Sequence, residues 1–92
     1  MKAYNWNPVK NQTLINERNV SFESVVFHLH NNGLIDDIKH PNDKEYPNQR
    51  VYIVNIDDYA YLVPYVESDD EVFLKTIIPS RKATRKYLGV SK

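Results

Sequence analysis

The chain of 92 residues has no cysteine, two glycines, one methionine and one tryptophan, and its apolar runs are all short. Without cysteine there is no disulfide, no thiol nucleophile and no thiolate ligand for a metal, a composition that fits a cytosolic protein. With Gly33 and Gly89 as the only glycines, neither a glycine-rich phosphate loop nor a nucleophile elbow can be built in the usual way. No stretch approaches the ~18 apolar residues of a membrane span. The opening Met1-Lys-Ala-Tyr-Asn-Trp6 has no apolar core of a signal peptide, so the expectation is a cytoplasmic chain that does not meet a membrane. Residues 1–92 are read as one domain, able to bury a little over ~60% of its unfolded surface.

Charge of one sign is missing locally, although the formal net charge is zero. From Asp36 to Glu71 there are ten acids and three bases, whereas from Val72 onward the charged residues are Lys75, Arg81, Lys82, Arg85, Lys86 and Lys92, all basic. The neutral average argues against a general nucleic-acid binder, and the uneven placement argues for a basic end. The plain alternative is that acidic turns and a basic helix solvate opposite sides.

Periodicity and punctuation give the order of elements. Tyr4 and Trp6 alternate along a short first strand over residues 2–6. Asn7-Pro8 is an N-cap followed by proline at the first helical position, and the helix it starts runs to about Arg18, where Asn19 can take the left-handed turn. Its apolar stripe, Val9, Leu14 and Ile15, is thin. Ser21 caps a second helix in which Phe22, Val25, Val26 and Leu29 repeat at helical spacing, and Asn32-Gly33 stops it.

A short strand at 34–39 precedes the polar loop His40 to Asn48. Three further strands are expected over Arg50–Ile56, Tyr59–Val66 and Val72–Ile78, joined by a two-residue turn at Asp57-Asp58 and a longer one around Ser68-Asp-Asp70. Pro64 predicts a bulge or a ladder gap in its strand, because it has no N–H to give. Tyr52, Tyr59, Tyr61 and Tyr65 are expected to pack half-buried with wet hydroxyls. Pro79 and the capping Ser80 then turn the chain from the buried pair Ile77-Ile78 into a short basic helix. The expected architecture is α+β: two N-terminal helices packed on a mostly antiparallel sheet of about four to five strands, with the basic helix last.

Cations in the first turn oppose the helix dipole, so Arg81 and Lys82 are not there for local stability. An anion held between that helix and its neighbours accounts for both, and Arg81, at the strand-to-helix corner, has Arg85 on its own face. Lys10, Arg50, Lys75, Arg81 and Arg85, with Glu67 and Tyr87, make a set suited to metal-free cleavage of RNA. There the 2′-hydroxyl attacks its own phosphate, and the protein supplies a base, an acid and cations around the phosphorus. Each has an ordinary reading too: Lys10 as a solvated side chain, Glu67 as part of an acidic turn, Tyr87 as an anchor for the last helix. His28 and His30 point different ways on a helix and are read as surface or boundary residues rather than as a metal pair. His40 is read as capping a turn.

The motifs Tyr4-Asn-Trp-Asn-Pro-Val-Lys-Asn11, Asn19-Val-Ser-Phe-Glu23, Gln49-Arg50, Leu62-Val-Pro-Tyr-Val-Glu67 and Ile77-Ile-Pro-Ser-Arg-Lys-Ala-Thr84, in this order, resemble the BrnT family of toxins over nearly the whole chain. The resemblance implies a RelE-like fold and an endoribonuclease that needs neither ribosome, metal nor cofactor and that halts growth. It also implies a cognate antitoxin with a ribbon-helix-helix DNA-binding domain, which covers the active face, forms a heterotetramer with the toxin and alone meets DNA. Lys10, Arg50, Glu67 and Arg81 fall on matching motif positions, Tyr87 stands near a late tyrosine of the family, and Lys75, Arg85 and Lys86 are read as RNA contacts. The expected site sets Arg81 against Arg50 and Glu67 around one phosphate. The chain departs from the pattern at Asn7 and Asn19, which cap equally well, and at Ser68 and Thr76, where arginines are expected. The last two departures favour a rival reading, a RelE-like binding module without catalysis that serves as partner or corepressor in an antitoxin–DNA complex.

Overall fold

A computed structural model describes residues 2–89, and of the charged residues of the basic end only Lys92 lies outside them. The fold is α+β. Strand β1 (Ala3–Asn5) leads into helix α1 (Pro8–Arg18) and helix α2 (Phe22–His30), followed by β2 (Leu34–Lys39), β3 (Gln49–Ile56), β4 (Tyr59–Glu67), β5 (Glu71–Leu74) and β6 (Ile78–Pro79). The chain closes with α3 (Arg81–Ala83), which widens into a π-type turn over Thr84–Leu88 and ends at Gly89 in the left-handed conformation, φ 65°. No helix among the described residues is long and apolar enough to cross a membrane.

Local chemistry sets the helix ends. The Asn7 side chain accepts from the N–H groups of Val9 and Lys10, and Asn19 ends α1 at φ 56°. Ser21 accepts from Ser24 N–H to start α2, and Ser80 accepts from Ala83 N–H to start α3. Each cap satisfies a donor that has no partner within its helix. Of the α1 stripe only Leu14 is buried, at 1% exposure, while Val9 stays 75% exposed. The buried polar side chain Asn11 takes the place of a longer stripe, accepting from Phe22 N–H at 2.8 Å and donating to Glu23 at 2.7 Å, so it pins the two helices together.

The sheet runs β1-β5-β4-β3-β2, with β1 parallel to β5 and the other pairs antiparallel. Alternation sorts its side chains onto two faces. Tyr52, Val54, Ile56, Val63, Tyr65, Val72 and Leu74 pack with Leu14, Phe22 and Val25 of the two helices. Val51, Ile53 and Ala60 face the other way and pack with Ala83, Leu62 and Tyr87. The C-terminal helix therefore lies on the face opposite α1 and α2, and both faces are partly covered.

Expectation and structure part company in the last strand. Val72–Ile78 is not one strand: β5 leaves the ladder after Leu74, and β6 rejoins β4 one residue out of step, with Leu62 opposite Ile78 and Tyr61 opposite Pro79. The gap falls at Pro64, which lacks the N–H that would continue the ladder and instead accepts from Lys75 N–H through its carbonyl. Pro79 thus sits inside a short pairing rather than beyond it. Ile77 is fully buried, but Ile78 is 39% exposed, so the isoleucine pair is not buried as a unit.

Candidate functional site

The C-terminal helix is held by one buried threonine. Thr84, 1% exposed, donates its hydroxyl to Ser80 C=O at 2.8 Å and accepts from Ala60 N–H at 2.9 Å, while Ala60 C=O takes the Ser80 N–H. Both polar backbone groups of Ala60 are thereby satisfied by the strand-to-helix corner, as a buried strand end requires. The anchor presents Arg81, Lys82, Arg85 and Lys86 to solvent, all exposed. None of the four forms an ion pair among the described residues.

Beside this helix runs a groove of about 290 Å³. Ile38, Ile53, Leu62 and Ala83 make its apolar floor, and Lys82 and Lys86 stand on its rim with Tyr87. The Tyr87 hydroxyl donates to Asp36 Oδ2 at 3.2 Å, and the ammonium of Lys86 lies 5.2 Å from the Tyr87 ring centre. The phenol is therefore engaged in the resting protein and fixes the ring as a wall of the groove.

A second cluster occupies the opposite face at the far end of the sheet. Asp37 Oδ1 accepts from the Tyr65 hydroxyl at 2.7 Å and from Arg50 Nε at 3.1 Å, and the Asp37 carbonyl accepts from Arg50 Nη2 at 2.9 Å. Tyr65 stacks on Tyr52 with ring centres 4.0 Å apart, and Tyr4 meets His30 edge-on at 5.8 Å. Tyr52 and Tyr65 are buried, which corrects the expectation of half-buried rings for these two, the Tyr65 hydroxyl being committed to Asp37; Tyr59 and Tyr61 are half-buried as expected. Burial first, and then the hydrogen bond to Asp37, push the Tyr65 phenol up to about 12, and burial drives Tyr52 higher still. The hydrogen bond and charge of Asp37 also raise Arg50.

The raised phenols have a measurable consequence. Unfolded tyrosines lose their proton near pH 10, whereas folded Tyr65 holds it to about 12. The stability this contributes is fully present below pH 10 and is lost as the pH rises from about 10 to about 12, because the unfolded chain then binds fewer protons. Urea midpoints between pH 9 and 12 are expected to fall, and Tyr65→Phe, although less stable at pH 8, is expected to have the shallower fall. An equal slope in the variant would assign the alkaline loss to other groups.

The expected catalytic set is not brought together. Arg50 lies opposite Tyr65 and Glu67 ends β4, while the Arg81 corner binds Ala60 at the start of β4. Five and seven residues of extended chain put the Arg81 corner about 17 Å and about 23 Å away along the strand. Arg50 and Glu67 also share the face of α1 and α2, through their partners Tyr65 and Val72, and the C-terminal helix sits on the other. The cause is the hairpin itself: each step past the Ser68-Asp-Asp70 turn carries the chain away from Glu67, so Arg81 cannot return to it.

Glu67 is instead paired with Lys2 at 2.6 Å. Lys10 is exposed on the first turn of α1, its backbone N–H on the Asn7 side chain, and has no ion pair among the described residues. Lys75 is exposed at the strand break, its ammonium 5.5 Å from the Phe73 ring centre. Of the histidines, His28 Nδ1 lies 2.7 Å from Ser24 C=O and His40 Nδ1 accepts from Asn42 N–H at 3.0 Å, which makes His40 a turn cap. The residues that sequence reading passed over are Asp36, Asp37 and Thr84. Two adjacent acids in the apolar strand Leu34-Ile-Asp-Asp-Ile-Lys39 were the signal for the first two, since adjacent strand residues face opposite ways.

Against protein-family models, curated proteins and solved structures alike, the chain has no match.

Proposed function

We propose that this chain is a RelE-like toxin of a type II toxin–antitoxin pair, an endoribonuclease that needs no metal, works in the cytoplasm and arrests growth until a cognate ribbon-helix-helix antitoxin covers it, in a heterotetramer through which alone it meets DNA. The observation that carries the reading is the anchored C-terminal helix, with four exposed cations and no carboxylate partner among the described residues. Such a row offers a polyanion a set of positive charges that no carboxylate among the described residues already neutralises. The order of motifs resembling BrnT toxins supports it independently.

In this reading Arg81 and Arg85 hold the scissile phosphate and stabilise the charge that builds on it, while Lys86 and Lys75 steer the strand. The 2′-hydroxyl oxygen bonds to phosphorus, its proton passes to a base, and the bond to the 5′-oxygen breaks as that oxygen takes a proton. A 2′,3′-cyclic phosphate and a 5′-hydroxyl result. Tyr87, once released by Asp36, is the proton donor nearest the row. Arg50 and Lys10 contact RNA away from the reacting phosphate, and Glu67, tied to Lys2, drops out of the chemistry.

The separation of Arg81 from Arg50 and Glu67 favours the second reading, a binding module without chemistry. End-labelled RNA incubated with the antitoxin-free chain in EDTA separates the two. Cleavage to cyclic-phosphate ends is expected, reduced about 10²-fold or more in Arg81→Ala, with growth arrest lost in the same variant. RNA left intact, together with unimpeded growth on expression of the chain alone, would sink the catalytic reading and leave the module.

A further inference from the structure

We infer that the groove beside the C-terminal helix is a nucleotide subsite for single-stranded RNA, with one base on its apolar floor and the flanking phosphates on Lys82 and Lys86. This rests on the reading of the chain as RNA-directed and adds to it a place on the protein, a ligand class and a specific role for Lys82.

Three observations converge. Lys82 and Lys86 are four apart on a helical turn and both reach the same groove. Like charges at that spacing repel, and no carboxylate among the described residues pairs with either. They bracket an apolar floor of Ile38, Ile53 and Leu62 rather than a polar one. Cations flanking an apolar or aromatic platform match the alternation of phosphate and base along a single strand, where each base contributes a flat face whatever its identity. The volume of about 290 Å³ lies at the small end of ligand pockets, ~300–1,000 Å³, and suits one ring system rather than a folded partner. Finally, Tyr87 is held by Asp36, so the ring that closes the groove is positioned before anything binds. The Lys86 side chain comes from a π-type turn, a local widening that recurs at functional sites.

An acidic peptide could be drawn by the same charges, and the test distinguishes the two. A dye-labelled single-stranded 2′-O-methyl RNA, which cannot be cleaved, is titrated with the full chain by fluorescence anisotropy at several salt concentrations. An abasic chain with the same number of phosphates and a poly-glutamate of the same charge are run beside it. Because cleavage is blocked, failure here leaves the nuclease test untouched, and failure there leaves this one standing.

The RNA is expected to bind the unmodified chain about tenfold or more tighter than the abasic chain, as one stacked base allows. Lys82→Gln with Lys86→Gln is expected to flatten the slope of log affinity against log salt by about 1.4, two phosphates at ~0.7 each. Tyr87→Leu should abolish the preference for bases and Tyr87→Phe should keep it. Equal affinity for the abasic chain, displacement of the RNA by poly-glutamate at equal charge, or an unchanged salt slope would each overturn the assignment. The first two outcomes are read on unmodified protein and need no folded variant.

Discussion

Phe22→Ala is expected to lower stability by about 3–5 kcal/mol, the range for an aromatic ring removed from a packed core. Phe22 has no exposed surface, stacks on Trp6 with ring centres 5.7 Å apart, and joins Leu14 and Val25 against the sheet. It is therefore the point where β1, α1 and α2 meet, and little around it can collapse into the space. A domain of this size has only ~5–15 kcal/mol to lose, and each kcal/mol moves its melting temperature by about 4–8 °C. A thermal melt should show a drop of roughly 12–40 °C, accompanied by loss of the near-ultraviolet signal of Trp6. Phe27, five residues on in the same helix and 61% exposed, is the control: Phe27→Ala should stay within about 0.5 kcal/mol. A small effect at Phe22 would show that α2 does not carry the core on that face.

Asp37→Ala is expected to cost about 2–3 kcal/mol, and the comparison that explains it is with the other ion pair of the described residues. Asp37–Arg50 and Glu67–Lys2 are similarly exposed, with side chains 38–44% accessible, and pairs of that kind contribute about 0–1 kcal/mol each. The difference is Tyr65. Its ring is buried at 2% exposure, and its hydroxyl has Asp37 as its acceptor, so removing the carboxylate strands a buried donor at a cost of about 1–3 kcal/mol. Urea unfolding of Asp37→Ala and Glu67→Ala should therefore separate them clearly. The double variant with Tyr65→Phe should recover about 1–2 kcal/mol of the loss, because no hydroxyl is left to strand. Equal losses in the two single variants would mean that water reaches the Tyr65 hydroxyl once Asp37 is gone.

The parts of the fold that could be read from the chain were those governed by neighbours in sequence. Asn7-Pro8 and Ser21 start helices because a cap needs only the next turn, and Asp57-Asp58 makes the tight hairpin, both residues at positive φ (54° and 64°), because a two-residue turn demands it. Pro64 announced its own gap for the same reason. What escaped depends on distant partners. The residues Asp37 and Tyr65 lie 28 apart in sequence, and no local pattern distinguishes Asp37 from Asp36.

The strand break after Leu74 was hidden because its cause, Pro64, is on the neighbouring strand. The grouping of Arg81 with Arg50 and Glu67 differs from these, since strand geometry alone excludes it. A hairpin turning at residues 68–70 and continuing as a strand must deliver residue 81 beside residue 60 or so, whatever the side chains. Counting ladder positions back from that turn is enough to separate the cations.

Asp36 and Asp37 bear on how β2 finds its place at the edge of the sheet. Its apolar pattern is weak, with Leu34 exposed and Ile35 and Ile38 only partly covered, so burial alone tolerates a sliding of this strand by one position. Sliding would exchange the two faces. A slide one way puts Asp36 in the place of Asp37, facing Tyr65 and Arg50, and takes the acceptor from Tyr87; a slide the other way puts Asp37 in the place of Asp36 and Ile38 opposite the Tyr65 hydroxyl, which is then left without one. Two adjacent acids thus act as a key cut on both sides: the edge strand satisfies both phenols in one alignment, and a slide in either direction is penalised by a lost polar contact in one layer or the other rather than by exposed hydrocarbon.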